Sequence, residues 1–332
     1  MRSILPILVF FMVLSGCSQQ KKEQPPQESN ETAPPERTML PTSLHNNRFL
    51  VEPTAQNGDT LSFLVDSGDG FSRLWKTNAE AMALEPRSAV LRDDSVQVVN
   101  GADFLSDNTI SASEHQFVVY EKPEEIIEKN TGTLGSHWLA EGIWQFDYAN
   151  EALYRINQIN WEERNPEQRI KLHFKKNPQG AHEHIHPRFP VVVDGDTLQM
   201  VFDTGAQTAL SDNAKYALAP EHQLQRVGIS FIMRSVFLKW RTDNPDWKVV
   251  EEGDKGYNDT PIIQVPSVSI AGQESGPVWF AVRDDRIYND HMLQMMDAPV
   301  HGSIGGNALQ YFDVIVDYPA AQAEFVRNTV NP

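Results

Sequence analysis

Two short segments of this chain are near copies of each other, and each ends in an Asp, a hydroxyl residue and a Gly. The first, GDTLSFLVDSG, begins at Gly58 and carries Asp66; the second, GDTLQMVFDTG, begins at Gly195 and carries Asp203. A duplicated loop predicts that the two carboxyl groups meet at one pseudo-symmetry axis. Two carboxyl groups in contact cannot both ionise easily, so they share a proton and supply an acid and a base together.

The repeat extends on both sides of these triplets. An Arg-Phe strand, at Arg48 and at Arg188, leads in each half to a Gly-Asp turn typical of a hairpin. After each triplet, an Asn-Ala pair and a Leu-x-Pro sequence indicate a short helix that Pro ends. The second half is longer than the first, and aligning these motifs predicts an insertion at about 219–256.

Both halves also close alike. GTLGSHWLAEGIWQFDY from Gly132 matches GSIGGNALQYFDVIVDY from Gly302. Strand-like alternation dominates other segments, including 116–120, 266–270 and 277–282, and long amphipathic helices are absent from the pattern. The sequence therefore predicts an all-β fold in two pseudo-symmetric lobes.

These segments resemble the retropepsin-like and pepsin-like aspartic proteases. VFDTGAQTALSD is similar to the active-site loop of that family, and the closing motif is similar to its later apolar-Gly and Asp-Tyr segment. The resemblance runs from Arg48 to Phe325 outside the insertion. It implies a bilobal pepsin-like fold with two retropepsin-like β-barrel lobes, at 44–157 and 188–330, and an inter-lobe connection at 158–187.

The resemblance also implies residue roles. Asp66 and Asp203 would activate a water molecule to hydrolyse peptide bonds, without a cofactor, a metal ion or an acyl-enzyme. Hydroxyl groups would tie the two loops together, glycines would let backbone amides approach the carboxylates, and apolar-Gly pairs would pack beside the loops. The residues with these supporting roles are Ser67, Gly68, Thr204, Gly205, Leu134, Gly135, Ile304 and Gly305.

A hairpin flap that closes over the acids is a further implication of the resemblance. In the first half we expect it within 99–107, around Gly101 and Phe104. In the second half the matching position is 256–258, with Tyr257 at its centre. The alternative is that both segments are ordinary hairpin turns.

Asp69 departs from the family pattern, because the second loop has Ala206 at the matching place. A third carboxylate beside the pair would disfavour ionisation and raise the shared pKa, so that the protein would work nearer neutral pH. The alternative is that Asp69 points to solvent and has no effect.

The N-terminus has the pattern of an exported protein. Its apolar run, 4–14, is too short to span a membrane and is typical of a signal peptide covering 1–17. Leu-Ser-Gly-Cys at Cys17 resembles the bacterial lipobox, which implies lipidation, including palmitate, at this cysteine. The polar stretch 18–43 predicts a flexible tether. Ser18 after the cysteine indicates the outer membrane, facing the periplasm.

The amino-acid composition limits which molecules this protein is expected to bind. A formal charge of −17 argues against nucleic acid, and the single cysteine leaves no disulfide or thiolate metal site. His182, His184 and His186 alternate and could bind zinc from one strand face, but no acidic or cysteine partner set accompanies them, and the prediction is no metal. The expected partners are a peptide or protein substrate and the membrane that holds the lipid. Since one chain supplies both acids, we expect a monomer.

Two competing functions remain open. A pseudo-protease that binds peptides or envelope polymer without cutting would accommodate Asp69 and the weaker match of the first half. Hydrolysis of carbohydrate by the two acids would require them to be separated by a sugar ring, whereas equivalent positions on twin loops favour contact.

Overall fold

The computed structural model describes residues 36–91, 94–107, 109–110, 115–123, 130–218 and 225–328. The predicted signal peptide, Cys17 and most of the predicted tether lie outside these described residues. Within them, no helix combines the length and the apolar character needed to cross a membrane.

Short strands dominate the first half. They are β1 (Arg37–Met39), β2 (Thr42–His45), β3 (Arg48–Val51), β4 (Phe63–Asp66), β5 (Arg73–Trp75), β6 (Arg87–Leu91), β7 (Asp94–Asn100), β8 (Gln116–Tyr120), β9 (Gly132–Gly135), β10 (Ile143–Asp147) and β11 (Ala152–Ile156), with helices α1 (Lys76–Ala81) and α2 (Ser136–Leu139) and a 3₁₀ turn at Gly101–Asp103.

The second half has the same character. Its strands are β12 (Arg169–Lys171), β13 (Arg188–Val193), β14 (Asp196–Phe202), β15 (Gln207–Ala209), β16 (Arg226–Gly228), β17 (Ser230–Met233), β18 (Val249–Asp254), β19 (Thr260–Val265), β20 (Val268–Ile270), β21 (Gln273–Ser275), β22 (Val278–Arg283), β23 (Gly302–Ile304), β24 (Phe312–Asp317) and β25 (Gln322–Arg327). Its helices are α3 (Asp212–Leu218), α4 (Arg234–Asp243), α5 (Leu293–Met295) and α6 (Gly306–Leu309), with 3₁₀ turns at Trp161–Glu163 and Pro166–Gln168 and a π-helix at Ile287–Met292.

Each lobe is built on one large sheet, and the two sheets share a strand order. The first has eight strands in the order β2-β3-β4-β9-β5-β8-β7-β6, and the second has nine in the order β18-β19-β22-β17-β23-β14-β13-β20-β21. In both, the strand that leads into the Asp triplet lies parallel to the strand of the closing motif. In the first lobe these strands, β4 and β9, are almost entirely buried, as expected for strands covered on both faces.

A third sheet of six strands joins the lobes in the order β1-β11-β10-β24-β25-β12. At its centre β10 and β24, which are equivalent strands of the two halves, pair antiparallel with Gln145 opposite Ile315. The closing motifs make Ile143 equivalent to Asp313, and Asp147 equivalent to Asp317. The register is symmetric about the central pair, because Ile143 lies opposite Asp317 and Asp147 lies opposite Asp313. The pseudo-two-fold axis therefore passes through this sheet. The predicted all-β fold in two pseudo-symmetric lobes is confirmed.

Aromatic side chains pack behind the Asp loops and connect the lobes. Phe146 from the joining sheet contacts Phe49 of the first lobe at 5.9 Å and Phe202 of the second at 5.8 Å, measured between ring centroids. All three rings are fully buried. Because such edge-to-face pairs are directional as well as apolar, they orient β3, the neighbour of the strand that carries Asp66, relative to β14, which leads into Asp203.

The folded part begins earlier than predicted. The tether was expected to reach residue 43, but β1 and β2 already lie within it. Arg37 donates a hydrogen bond to Gln145 at 2.5 Å and lies 3.9 Å over the ring of Tyr154. The connection 158–187 likewise contains β12, which pairs with β25 in the joining sheet. A strand held by single polar contacts shows no periodic pattern of hydrophobic residues, so the sequence did not reveal these strands.

The predicted insertion at 219–256 is wrong in position. β5 and β17 are equivalent, since each pairs antiparallel with the closing-motif strand and parallel with the next strand of its lobe, β8 or β22. The extra segment is therefore 207–228, which contains β15, α3 and β16. The helix equivalent to α1 is α4, because each follows its strand directly; the Asn-Ala motif in α3 matched α1 by local similarity alone.

Candidate active site

Four hydrogen bonds tie the two Asp triplets together. The hydroxyl of Ser67 donates to the carbonyl oxygen of Phe202 at 2.7 Å, and the hydroxyl of Thr204 donates to that of Val65 at 2.8 Å. The hydroxyl oxygen of Thr204 also accepts the backbone N–H of Ser67 at 3.1 Å, and that of Ser67 accepts the backbone N–H of Thr204 at 3.0 Å. Both side chains are fully buried. Since an unpaired buried hydroxyl is costly, this reciprocal arrangement holds the loops at one separation.

The two glycines bring each carboxyl group against the opposite loop. A Cβ atom added to Gly68 would lie 2.5 Å from Oδ1 of Asp203, and one added to Gly205 would overlap Cγ of Asp66. Only residues without a side chain fit at these two places. The structure thus brings Asp66 and Asp203 together across the axis, at the floor of a cleft of about 380 Å³.

Asp66 favours its protonated form. Removal from solvent is the main cause that raises its pKa, to about 8, and the charges of Asp203 and Asp69 raise it further. The amide of Gly68 donates to its Oδ1 at 2.9 Å, and the positive charge of Arg73 acts in the same direction, so both limit the rise.

Asp203 is shifted in the same direction by a smaller amount. Burial raises its pKa to about 6, while the Ser303 hydroxyl and the amides of Ala206 and Gly205 favour the carboxylate and oppose the rise. With one group raised to about 8 and the other to about 6, the pair holds a single proton near neutral pH. One proton shared by two acids is what simultaneous acid and base chemistry requires.

Asp69 is paired and does not point freely to solvent. Its carboxylate binds the guanidinium of Arg73 through Nε at 2.6 Å and Nη2 at 3.0 Å. Its amide also lies 3.2 Å from Oδ1 of Asp66. The Asp69 charge raises the pKa of both Asp66 and Asp203. Of the two alternatives drawn from the sequence, the position of Asp69 fits the first, a third carboxylate beside the pair, and not a side chain that points to solvent.

The predicted apolar-Gly supports lie beside the loops. In the parallel pairing of β4 and β9, Gly135 lies opposite Asp66 and Leu134 lies opposite the residue before it. In the second lobe the carbonyl oxygen of Ile304 accepts the amide of Asp203 at 3.0 Å. A Cβ on Gly305 would collide with backbone atoms, so the turn requires glycine.

Two serines that the sequence analysis missed hold these turns in place. The hydroxyl oxygen of Ser72 accepts the amide of Gly135 at 3.1 Å, and that of Ser230 accepts the amide of Gly305 at 3.0 Å. Both serines begin a Ser-x-aliphatic sequence that precedes or opens the equivalent strands β5 and β17. The repeated Ser-x-aliphatic sequence could have revealed both serines, but placing the insertion at 219–256 kept Ser72 and Ser230 from being aligned with each other.

Behind the two serines the halves differ. Ser72 is hydrogen-bonded to Nε2 of His115 at 2.7 Å, and Nδ1 of that ring faces Glu141 at 3.2 Å. Ser230 instead donates to the side-chain oxygen of Asn307 at 2.8 Å. Ser72, His115 and Ser230 are buried with hydrogen-bond partners, whereas Glu141 at the end of the first chain is exposed; the buried hydrogen bonds stiffen the turn beside each acid.

The residues predicted for the first flap do not form a hairpin tip. Gly101 begins the 3₁₀ turn after β7, and Phe104 is buried against Phe117, with ring centroids 5.3 Å apart. An apolar ring of this size gains more by core burial than by exposure on a loop. The antiparallel hairpin of this lobe is formed by β6 and β7, just before the predicted segment.

Tyr257 does lie on the turn between β18 and β19, the equivalent hairpin of the second lobe. The extra segment braces this hairpin: the amide of Ser211 donates to Gly253 at 2.9 Å, and the amide of Lys255 donates to Ala209 at 2.8 Å. The guanidinium of Arg283 lies 4.5 Å from the Tyr257 ring centroid. This hairpin is thus held to the segment that follows the second Asp triplet.

The three alternating histidines have separate surroundings. His182 stacks on Phe174 with ring centroids 4.6 Å apart, whereas His184 and His186 stack on each other at 6.5 Å. His186 lies under the catalytic loops, with Nδ1 3.4 Å from the carbonyl oxygen of Ser67. Across the described part of the chain, no three His, Cys, Asp or Glu side chains are grouped as a metal site would need.

Comparison with known proteins adds little to this picture. No protein-family model matches the sequence, and no curated protein matches it either. Among solved structures, the chain is similar to the crystal structure of an aspartic proteinase from Irpex lacteus, with a TM-score of 0.49 and 11% sequence identity, over 89% of this chain and 98% of that chain. The chemistry of the site is therefore argued from its own geometry.

Replacing Gly205 by Ala tests the contact between the loops. The new methyl group overlaps Asp66, so the carboxyl group must move by about 1 Å or more, and a displacement of that size costs roughly 100-fold in rate. Gly142→Ala is the matched control, because its Cβ would have no neighbour closer than 3.5 Å. Peptide hydrolysis and thermal unfolding are measured for both variants. Unchanged hydrolysis by a folded Gly205→Ala protein would contradict the geometry.

Proposed function

We propose that this protein is an aspartic endopeptidase that hydrolyses peptide bonds with a water molecule activated by Asp66 and Asp203. The observation that carries the proposal is the approach of each carboxyl group to the glycine of the opposite loop, which joins two acids with raised pKa values at the floor of one cleft. Each acid lies against the glycine of the opposite loop, which argues against the wide separation of the carboxyl groups that an inverting glycosidase needs.

The proposed mechanism uses the shared proton twice. The ionised member of the pair takes a proton from water as the oxygen attacks the peptide carbonyl carbon. The protonated member donates its proton to the carbonyl oxygen, which gives a neutral tetrahedral intermediate. The acid that took the water proton then gives it to the amide nitrogen, while the other carboxylate takes back a proton from a hydroxyl of the intermediate. The C–N bond breaks, the amine leaves, and the pair is again singly protonated. All atoms of the cleaved bond leave as carboxylic acid and amine, and no covalent bond to the protein forms.

The surroundings of the pair set its working pH in this proposal. A single proton is held between the two pKa values, at about 6 and about 8. Burial and the charge of Asp69 both favour protonation, so they shift this range upward from the ordinary value of Asp, about 3.9. The proposed range is therefore near neutral.

The alternative is a pseudo-protease that binds peptides without cutting them, and substitution of one acid separates the two. Asp203→Asn removes the shared proton, so cleavage is expected to fall by about 1,000-fold or more while peptide binding is kept. Asp212→Asn, an exposed acid of the same lobe, is the matched control. Cleavage of peptide mixtures and peptide affinity are measured from acidic to neutral pH. A wild-type protein that binds but never cleaves, or that cleaves only at strongly acidic pH, would contradict the proposal.

We also propose that the chain is anchored to the bacterial outer membrane through a lipid on Cys17 and faces the periplasm, as a monomer that holds both acids. The support is the Leu-Ser-Gly-Cys motif after a short apolar run. Labelled palmitate is expected to appear in the wild-type protein and in the membrane fraction, and to be absent from Cys17→Ser. Equal labelling of both proteins would exclude this anchor.

A further inference from the structure

The two walls of the active cleft differ at positions that the pseudo-symmetry makes equivalent. Arg73 lies opposite Thr133 in the pairing of β5 with β9, and Phe231 lies opposite Ser303 in the pairing of β17 with β23. Both Arg73 and Phe231 line the cleft. The two side chains therefore occupy equivalent positions on the two sides of the cleft.

On the first-lobe side the wall is charged. Asp69 occupies only the Nε and Nη2 edge of the Arg73 guanidinium, and Tyr120 covers one face, with its ring centroid 4.8 Å from Cζ. In the described segments, no other residue accepts a hydrogen bond from Arg73. The side chain keeps 31% of its surface exposed, so its remaining N–H groups are open to an acceptor that enters the cleft.

On the second-lobe side the cleft-lining residues other than Asp203 carry no charge, and the polar side chain among them is Gln207, whose oxygen accepts a hydrogen bond from Arg48. Ala206 stands where the first loop has Asp69, and Phe231 stands where the first strand has Arg73. The guanidinium of Arg283 lies 3.9 Å over the Phe231 ring, and its charge is paired with buried Asp254 at 2.6 Å. That ion pair fixes the ring without presenting a charge among the cleft-lining residues.

We propose that Arg73 determines substrate specificity: the cleft selects peptides with Asp or Glu on the first-lobe side of the scissile bond and a large apolar residue at the equivalent position on the second-lobe side. This inference rests on the proposed endopeptidase function. A guanidinium binds a second carboxylate through the donors that the first leaves open, and charge-assisted hydrogen bonds of this kind are stronger than those to an amide. On the opposite side the Phe231 ring offers apolar contact and no charge.

The test compares pairs of peptides that differ only in Glu or Gln at the position seated on the first-lobe side, identified by cleavage-site mapping of a peptide library. For the wild type we expect kcat/KM to favour Glu by about 10-fold or more. In Arg73→Phe, which gives both walls the same residue, the ratio is expected to fall to about 1 and apolar residues to be accepted on both sides. Each ratio is taken within one protein, so a change in the pKa of the acids cancels.

Controls keep the outcomes distinct. Arg286→Phe removes a highly exposed arginine whose ion pair is local, with Asp284, and should leave the ratio unchanged. Arg73→Gln keeps the side-chain length and serves if the Phe variant does not fold. Equal cleavage of Glu and Gln peptides by the wild type, or an unchanged preference in both Arg73 variants, would overturn the inference while leaving the endopeptidase proposal intact. Absence of any cleavage by the wild type would end both.

Discussion

The exchange of hydrogen bonds between Ser67 and Thr204 is the constraint on which the rest of the site depends. Each hydroxyl donates to the strand that carries the opposite acid and accepts the opposite backbone amide. No side chain at either position could move without leaving buried polar groups unpaired. The loops therefore cannot separate, and each acid stays against the glycine of the opposite loop although ionising both is unfavourable. Burial raises the pKa of both acids, and the nearby charge of Asp203 raises that of Asp66 further.

The joining sheet maintains the same constraint at larger scale. Its central pair, β10 and β24, is symmetric about Gln145 and Ile315, and it carries the aromatic contacts that reach β3 of the first lobe and β14 of the second. Within this symmetric frame the halves have diverged close to the acids. The first lobe has Asp69 and Arg73 where the second has Ala206 and Phe231. Behind the supporting serines, His115 in the first lobe takes the place of Asn307 in the second. Symmetry thus supplies the acid pair, and the departures from it give the cleft two different walls.

The sequence predicted the parts that repeat without a gap. The triplets, the Gly-Asp turns and the closing motifs keep constant spacing, so the acids, the glycines and the strands that hold them could be identified from residues alone. The extra segment could not be located, because the Asn-Ala motif in α3 imitates α1 and only the pairing of β17 with β22 and β23 reveals the true equivalence. Phe104 was assigned to a flap by its distance along the chain, whereas non-local packing against Phe117 decides its position. Arg37 and Ser72 act through single polar contacts, which leave no periodic pattern to read.

The central claim is that Asp66 and Asp203 share one proton near neutral pH. The most direct test follows the carbon-13 shifts of their carboxyl groups with pH, with resonances assigned through Asp66→Asn and Asp203→Asn. We predict two coupled steps, near pH 6 and pH 8, both above the ordinary Asp value of about 3.9. Both steps should move to lower pH in Asp69→Ala, because a negative charge that favours protonation is lost. Two independent steps near the ordinary value, unaffected by Asp69, would contradict the account.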